Sequence, residues 1–461
     1  MKFLIFTKYR CSYCDRAKAL IEQKGYKYES INIEEDNNID ILLEKNFSNC
    51  EIVLQDIDDK RLKTSNLVAE KVAKSIGANP KIIIEKNQKK ALRGADFVIL
   101  MFQIGGYEPS TVIDFEIPAK YGLKQTIGDT LGIGGIMRGL RTVPALLSVV
   151  KDINEVCPNA IMLQYVNPMA INCLALSKFA PELKYVGLCH SVQGTAEDLA
   201  KDIGEDIKNI SYECSGINHM SFFTKFEKIN SDGTKENLYP KIFKAGKEKT
   251  FGTNWDGCTN EVRYKVLEKL GYFVTESSEH FAEYTPWFIK NNREDLLSEF
   301  NIPINEYIRR CKKQIKEWDQ QEQSLLNGEK FVCKKSLEYA SRIIVSIVDG
   351  KEDTINGNVL NNKLISNLPE DCCVEVPCKI NNKGINPQKV DNLPMHLANL
   401  MKTNINVQQL TVEALKTKKK ETIYHAAMLD PLTSSVLSLD QISSMVDELL
   451  KAHKNWIPEF N

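Results

Sequence analysis

The sequence predicts an α/β protein in which a doubly wound parallel sheet domain is followed by a larger α+β C-terminal domain. Between Cys50 and about Thr195, short apolar runs typical of buried strands alternate with helical patterns. Asp56, Asn167 and Cys189 lie at or just past the ends of such runs, where sheets of this class collect their ligands. After Thr195 the alternation weakens into long mixed helices with scattered short strands, which predicts the second domain.

The predicted strands follow one another at regular intervals. The first is EIVLQDID, and a helical pattern continues from it to Ile76. The next runs are KIIIEK and ADFVILMF, with a helix between them, and then AIMLQYVNP and YVGLCHS. Because strands that alternate with helices are joined by crossovers, these runs predict parallel pairing in one sheet.

Composition excludes several classes of partner. The chain has 461 residues, 43% of them hydrophobic, which is enough for a large core and two or more packed units. Lys and Arg number 60 against 61 Asp and Glu, so no overall basic field exists to attract nucleic acid or an anionic membrane. We expect a small or neutral substrate.

The chain is expected to be cytoplasmic. No apolar run approaches the length of a membrane span, and the start MKFLIFTKYRCSYC lacks the apolar region and cleavage site of a signal peptide. The 13 cysteines are scattered through apolar segments, which is untypical of a secreted disulfide framework. Most are expected to be reduced, buried thiols.

Two segments offer metal ligands. Cys189 lies in GLCHSVQG and His219 lies in GINHM, too far apart in sequence for a zinc-finger knuckle. A buried Cys beside a hydrogen-bonded core His is the commoner state of such residues. If the fold brings the two together as ligands, their small number leaves coordination positions open to a substrate.

Further segments resemble a known family. They are FQIGGYEPSTVIDF, GIGGIMRGLRTVP, LQYVNPMA and GYFVTESSEHFAEYTPWF, followed by EVPCKINNKGINP and YHAAMLDPLTSSV. From about Ile52 to the C-terminus the chain resembles the family 4 glycoside hydrolases, and within them the α-galactosidases that act on melibiose. The resemblance implies hydrolysis of small α-galactosides with NAD and Mn²⁺ as cofactors, although Co, Ni or Fe could replace manganese.

The resemblance implies an oxidation and elimination mechanism, which departs from the usual pair of carboxylates. NAD takes hydride from C3 of the sugar, a base removes the acidified C2 proton, and the glycosidic oxygen leaves C1. Water then adds and the hydride returns. Cys189 and His219 would hold the metal, which binds the C2 and C3 oxygens as a Lewis acid.

The resemblance also assigns roles near these ligands. His190 stands where related enzymes carry the proton donor, unless it only orients the metal loop. Asn167 would contact the sugar and the cofactor, and it could also cap the following helix. The base remains open among Glu261, Tyr264 and Glu276, with Tyr284 a further candidate.

Other residues are expected at the cofactor. Asp56 would bind the adenosine ribose hydroxyls, although an aspartate at a strand end can simply cap a helix. Phe102, Gln103, Gly105 and Gly106 would let the backbone approach NAD. The run GIGGIMRG does not follow the G-x-G-x-x-G spacing, so we expect a tight loop at the site.

The N-terminus departs from the family. Residues 2 to about 36 resemble the first half of a glutaredoxin, with Cys11 and Cys14 as a candidate redox pair. Residues 1–50 contain only one glycine, Gly25, so the Gly-rich turn that binds the pyrophosphate in this family is missing. The segment could be a natural fusion, a stray start on a truncated gene, or a structural substitute for the lost unit.

These observations predict three parts: residues 1–40 as the partial glutaredoxin-like segment, residues 41–195 as a Rossmann-like domain without its first strand and Gly-rich turn, and residues 196–461 as a catalytic and oligomerisation domain. We expect a dimer or tetramer without nucleic-acid or membrane partners. Two other functions remain open. One is the same chemistry on an α-glucoside, a 6-phosphoglycoside or a glucuronide, and the other is an impaired chimera with a thiol-redox or binding role.

Overall fold

The computed structural model describes the backbone of residues 2–6 and residues 50–253, 257–327 and 338–461. The predicted redox pair, Cys11 and Cys14, lies outside the described residues.

The first half of the chain alternates strands and helices as predicted. Its strands and helices are β1 (Lys2–Phe6), β2 (Glu51–Gln55), α1 (Asp59–Ser75), β3 (Lys81–Ile84), α2 (Gln88–Leu92), β4 (Phe97–Leu100), α3 (Val112–Lys120), α4 (Gly132–Val156), β5 (Ile161–Gln164), α5 (Met169–Phe179), β6 (Tyr185–Gly187) and α6 (Ser191–Asp202).

These strands form the parallel part of the sheet in the order β3-β2-β1-β4-β5-β6. This order is that of dinucleotide-binding folds, whose ligands bind at the carboxyl ends of the strands. The predicted fold class is confirmed.

Strand β1 fills the position of the first strand of the parallel sheet, which residues 41–195 lack. Lys2–Phe6 pairs in parallel with Glu51–Gln55 on one side, and with β4 on the other. The strand therefore comes from the glutaredoxin-like segment and lies at the centre of the parallel sheet, where the first strand of such a fold belongs. This position favours the third interpretation of the segment, a structural substitute.

The run GIGGIMRG is helical, so the expectation of a tight loop is wrong. It forms the first turns of α4, which begins at Gly132. Side chains at Gly134 and Gly135 would bring a Cβ within 2.1 Å of the Gly128 carbonyl oxygen and 2.6 Å of the Thr130 carbonyl oxygen. The glycines are needed because the helix start packs directly on the preceding loop.

Helix α4 also corrects the expectation about membrane spans. By length and composition it could cross a bilayer, but 78% of its most apolar stretch is buried inside the fold. Its apolar side chains contribute to two core clusters, one of them around β4 and β5. Burial of this kind is typical of a core helix.

The second half of the chain is mixed. Its strands and helices are β7 (Ile210–Ile217), β8 (Met220–Ile229), β9 (Lys235–Asn237), α7 (Tyr239–Glu248), α8 (Glu261–Leu270), β10 (Phe273–Val274), α9 (Ser278–Glu283), α10 (Glu294–Glu299), α11 (Glu306–Leu326), α12 (Tyr339–Asp349), β11 (Asp353–Leu360), β12 (Cys373–Asn381), β13 (Gly384–Pro387), α13 (Met395–Thr417), α14 (Lys420–Leu429), α15 (Pro431–Val436) and α16 (Leu439–Ala452).

The strands of the second half continue the same sheet. The antiparallel pair β11 and β12 lies between β6 and β7, and the order runs on through β8 to β10. The inserted pair joins its neighbours narrowly: Asn358 of β11 pairs with Gly187 of β6, and Glu375 of β12 pairs with Gly216 of β7. The ends of β6 and β7 are thereby brought to one region of the molecule.

Candidate active site

Cys189 and His219 come together at the ends of two strands. Cys189 follows β6, and His219 lies in the turn between β7 and β8 with a φ of 67°. The Cys189 Sγ atom lies 3.5 Å from the His219 Nε2 atom. Both side chains are buried, with 5% and 4% of their surface exposed.

Glu276 joins this pair. It follows β10, and its Oε2 atom lies 3.1 Å from His219 Nε2. One donor atom each from Cys189, His219 and Glu276 lies within 4.8 Å of the other two. A thiolate, an imidazole nitrogen and a carboxylate oxygen in this arrangement form a donor set suited to a transition-metal ion. Two harder donors beside the sulfur also fit manganese better than a thiolate and an imidazole alone.

The imidazole of His219 is oriented from its other side. Its Nδ1 atom shares a 3.0 Å hydrogen bond with the hydroxyl group of Tyr284, and the two rings stack at 6.2 Å. Metal-binding histidines are commonly oriented by such a bond at the second nitrogen. The bond directs Nε2 toward Cys189 and Glu276.

The charge of the cluster favours a cation. Burial opposes protonation of His219, but Glu276 and Cys189 outweigh it and raise the pKa of His219 to about 10. Burial would raise the pKa of Glu276, yet His219, His280 and His190 together lower it well below its usual range. The carboxylate and the sulfur therefore favour positive charge at this point, which a proton on His219 supplies and a metal ion could supply in its place.

His280 extends the polar wall. It lies on α9, and its Nδ1 atom is 2.7 Å from Ser277 Oγ and 3.7 Å from Glu276 Oε1. Its ring contacts the His219 ring edge-on at 5.2 Å. Burial lowers the pKa of His280, so a neutral imidazole is favoured beside the cluster.

A second polar group surrounds Asn167. The Asn167 amide donates to Asp129 Oδ2 at 3.3 Å, and Arg138 donates to the same oxygen at 3.1 Å. The alternative role of Asn167 as a helix cap does not occur, because Pro168 occupies the cap position of α5 without a side-chain bond. Burial would raise the pKa of Asp129, but Arg138, His280 and His219 outweigh it and keep this carboxyl ionised.

His190 lies beside the cluster. It occupies the N-cap position of α6 without a capping side-chain bond, and it is partly exposed. Its charge contributes to the lowered pKa of Glu276, which indicates proximity. This position is compatible with either predicted role, proton donor or orienting residue.

The two base candidates on α8 differ in their surroundings. The Tyr264 hydroxyl donates to Asp202 Oδ2 at 2.7 Å, its ring stacks on Phe251 at 4.3 Å, and burial raises the pKa of the phenol. Glu261 is the first residue of the helix, and its Oε2 atom is buried without a hydrogen-bond partner among the described residues. Glu261 thus has an acceptor atom without a partner in the described part of the chain, whereas the proton of the Tyr264 hydroxyl is engaged by Asp202.

Neighbouring residues already use most of the acceptor capacity of Asp56. Its carboxylate accepts two bonds from the Arg61 guanidinium, at 2.7 and 3.0 Å, and one from the Asp58 amide at 2.9 Å. A carboxylate offers about four acceptor sites, so little remains for a ribose. The alternative role as a helix cap belongs to Asp58, which caps α1.

The Gln103–Gly106 segment forms a compact turn after β4. The Gln103 amide donates to the Gly106 carbonyl at 3.0 Å and to Thr111 Oγ1 at 2.8 Å, and Phe102 packs against the core. Gly105 and Gly106 have φ angles of 74° and 63°, and the space around Gly106 Cα is open. The exposed backbone could approach a cofactor closely.

Sequence reasoning missed part of this arrangement. It considered Glu276 only as a base, and it did not single out His280, Asp129 or Arg138. The short run Glu276 to His280 was a usable signal, because it places a carboxylate and an imidazole four residues apart in one polar segment. Asp129 and Arg138 had no comparable signal, since nothing in their spacing indicates contact with Asn167.

Comparison with known proteins identifies the family of this chain. Residues 32–205 match the family 4 glycosyl hydrolase model, and residues 214–433 match its C-terminal domain model. Residues 3–47 match the glutaredoxin model, as the N-terminal resemblance predicts.

Individual proteins give the same result. An α-galactosidase of Bacillus subtilis is 47% identical over 423 residues, which cover 91% of this chain and 95% of that protein. An α-galactosidase of Rhizobium meliloti is 31% identical, with 91% and 86% covered. A 6-phospho-α-glucosidase from gut microorganisms, solved in complex with NAD and Mn²⁺, shares the fold with a TM-score of 0.77 at 18% identity over 100% of this chain and 99% of that one. Two family models that together span most of the chain, and a relative of nearly equal length, show that it belongs to the family 4 glycosyl hydrolases.

Proposed function

We propose that this chain is an NAD- and metal-dependent α-galactosidase that hydrolyses small α-galactosides such as melibiose. The observation that carries the proposal is the convergence of Cys189, His219 and Glu276 on one cation-sized position. The identity of 47% to an α-galactosidase over nearly the whole chain supports the choice of glycone. The alternative of another glycone would use the same metal site, so the identity to the α-galactosidase is what favours galactosides over it.

Cys189 and His219 are the proposed metal ligands, and Glu276 is added as a third. When bound, NAD would oxidise C3 of the sugar and later return the hydride, and the metal ion would stabilise negative charge on the C2 and C3 oxygens. The Tyr284 hydroxyl keeps His219 Nε2 directed at the ion. Asp56, Phe102, Gln103, Gly105 and Gly106 are the proposed cofactor side of the site.

Glu261 is the proposed base at C2. Its buried Oε2 atom has no hydrogen-bond partner within the described residues, whereas the Tyr264 hydroxyl is bound to Asp202 and Glu276 lies against His219. A general base needs a free acceptor that can reach the substrate proton. His190 would protonate the leaving oxygen, and Asn167, held by Asp129, would bind sugar hydroxyls.

The remaining parts of the proposal concern organisation. Residues 1–40, 41–195 and 196–461 are the proposed parts of the chain, with β1 of the first part completing the sheet of the second. Location in the cytoplasm and assembly into a dimer or tetramer are proposed as well. Cys11 and Cys14 remain a proposed redox pair.

The test is a panel of nitrophenyl glycosides assayed with the full chain, with and without NAD and Mn²⁺. We expect turnover of the α-galactoside only when both are present, and little turnover of the α-glucoside, the 6-phosphorylated glycosides or a uronide. Deuterium at C2 or C3 of the substrate should slow the reaction, because both hydrogens are removed in the proposed sequence. Cofactor-independent hydrolysis would contradict the mechanism.

Two variants test the assignment of Glu261 as the base. Glu261→Gln is expected to slow turnover by roughly a hundredfold or more, which is the usual contribution of general base catalysis. Tyr264→Phe removes the hydroxyl bound to Asp202 and should leave the deuterium effect at C2 unchanged. The reverse pattern would move the base to Tyr264.

A further inference from the structure

Glu375 is an acidic residue in an apolar part of the sheet. It lies on β12 between Val374 and Val376, and all three residues are 0% exposed. A carboxyl group in such a place costs free energy unless its oxygens are hydrogen-bonded. The bonds that it makes lead to both strands that carry the proposed metal ligands.

One bond leads to the His219 turn. Ser221 Oγ lies 2.8 Å from Glu375 Oε2 and 3.0 Å from the Ile217 carbonyl oxygen. Ile217 and Ser221 stand two residues before and two residues after His219. The Ser221 side chain therefore closes the base of the turn, and Glu375 holds that side chain from the neighbouring strand.

The other bond leads to the Cys189 segment. Asn358 Nδ2 lies 3.2 Å from Glu375 Oε1 and 3.3 Å from the Gly187 carbonyl oxygen. Gly187 stands two residues before Cys189. A Cβ at Gly187 would lie 2.4 Å from Cys173 Sγ and 2.9 Å from Asn358 Cβ. Only glycine at this position therefore lets β6 lie so close to Asn358.

Backbone pairing between the inserted strands and the two strands that carry the ligands is sparse. β11 and β6 pair at Asn358 and Gly187, and β12 and β7 pair at Glu375 and Gly216, so each join consists of one residue pair. A single residue pair constrains two strands less than the eight residue pairs between β11 and β12 do. The chain of side-chain bonds from Ser221 through Glu375 to Asn358 spans both joins.

We propose that Glu375 is a positioning residue that sets the separation of Cys189 and His219 through Ser221 and Asn358. The proposal rests on the proposed function, because it treats Cys189 and His219 as metal ligands. Outer-shell partners of this kind contribute about 10-fold to 100-fold to metal affinity. Glu375 touches neither the substrate nor the ion, and its effect is on the geometry of the site.

The experiment is a cobalt titration of the full chain, read through the thiolate-to-cobalt charge-transfer band. Glu375→Ala should weaken cobalt binding by roughly tenfold or more and shift the band, because the sulfur and the imidazole no longer meet at one distance. Ser221→Ala and Asn358→Ala each remove one arm, so each should have a smaller effect in the same direction. Burial raises the pKa of Glu375, which favours the neutral carboxyl, so Glu375→Gln should retain part of the affinity.

The matched control is Asn356→Ala. Asn356 is buried on β11 two residues from Asn358, and its amide donates at 3.0 Å to the carbonyl of Cys214, which lies outside the turn that Ser221 closes. It should reproduce any loss of sheet stability without changing the cobalt spectrum. Thermal unfolding of each apo variant separates folding from metal binding, and Ser221→Ala carries the test if Glu375→Ala does not fold.

Two failures can be told apart. If the parent chain shows the band and Cys189→Ser abolishes it, the metal site stands. Glu375→Ala and Ser221→Ala with the affinity and spectrum of Asn356→Ala would then overturn the positioning role alone. If the parent shows no band, or Cys189→Ser keeps it, the metal assignment itself fails and the positioning role fails with it.

Discussion

The described residues include two buried clusters of nearly the same composition, and one of the two is suited to metal chemistry. In the first, His219 lies between Glu276 and Cys189. In the second, His453 Nε2 lies 2.8 Å from Asp114 Oδ1, and Arg141 Nη1 lies 3.2 Å from the same oxygen. Each cluster joins an imidazole to a carboxylate, and they differ in the third member.

The charge of the third member decides what each cluster does. Arg141 is cationic, and together with His453 it outweighs the effect of burial and holds the pKa of Asp114 low. The second cluster is therefore neutralised from within. In the first cluster, Cys189 and Glu276 both favour positive charge at His219, which a metal ion could supply.

The second cluster has a structural role. It joins α3, α4 and the end of α16, and Arg141 Nε also donates to the Ile104 carbonyl at 3.2 Å. The C-terminus is thus attached to the segment that contains Gln103, Gly105 and Gly106. The comparison predicts that changes in the first cluster alter activity, and that changes in the second alter stability.

The largest expected effect is on activity. Cys189→Ser and His219→Ala should each reduce turnover by roughly a thousandfold or more, because Lewis-acid stabilisation contributes several kcal/mol. Metal content, measured by elemental analysis, should fall in parallel while the unfolding temperature of the apo protein changes little. Cys214→Ser, another buried cysteine in the same sheet, is the control and should keep its metal. Wild-type turnover with bound metal in either ligand variant would exclude that ligand.

The next effect is on stability. Asp114→Ala leaves the buried Arg141 charge without its carboxylate, which should lower the free energy of unfolding by about 3 to 5 kcal/mol. Denaturant unfolding measures this loss. Cobalt affinity of the folded fraction should stay at the parent value, and a matching loss of affinity would remove the distinction between the two clusters.

A smaller loss is expected for His453→Ala. The hydrogen bond to the charged Asp114 disappears, but Arg141 still pairs with that carboxylate, so the free energy of unfolding should fall by about 1.5 to 3 kcal/mol. Denaturant unfolding of both variants, His453→Ala and Asp114→Ala, shows which of them loses more stability. A larger loss for His453→Ala would show that packing of the imidazole, and not charge balance, dominates the contribution of this cluster to stability.

The last prediction concerns Asp430, a buried carboxyl group that has no cation among its contacts in the described residues. Asp430 caps α15 by accepting from the Thr433 amide, and burial raises its pKa to about 6. The folded state therefore binds this proton more tightly than the unfolded state, so the parent loses stability as pH rises from about 4 to about 6. Asp430→Asn keeps an acceptor for the cap and lacks this loss.

The unfolding temperatures of parent and Asp430→Asn, compared from pH 4 to pH 7, test the sign. The variant should gain relative to the parent up to about pH 6, with a constant difference above it. A difference in unfolding temperature that is the same at every pH would show that Asp430 does not titrate in this range.

The sequence by itself determined the strands β2 to β6 and the placement of Asn167 and Cys189 near their ends. Local periodicity carries that information, because buried strands need apolar runs and parallel strands share one ligand-binding edge. The resemblance to the family was enough to pair Cys189 with His219 as expected ligands. These expectations depend on residue type and short spacing, which a linear sequence contains.

The tertiary structure decided the rest. It placed β1 between β2 and β4, inserted β11 and β12 between the two ligand strands, and brought Glu276 to His219 and Asp129 to Asn167. It also placed a thiol beside one buried imidazole, and it bound the other imidazole to a carboxylate that a guanidinium group neutralises. Such contacts join segments far apart in the chain, and no local pattern encodes them because they depend on which elements the whole core can bury side by side.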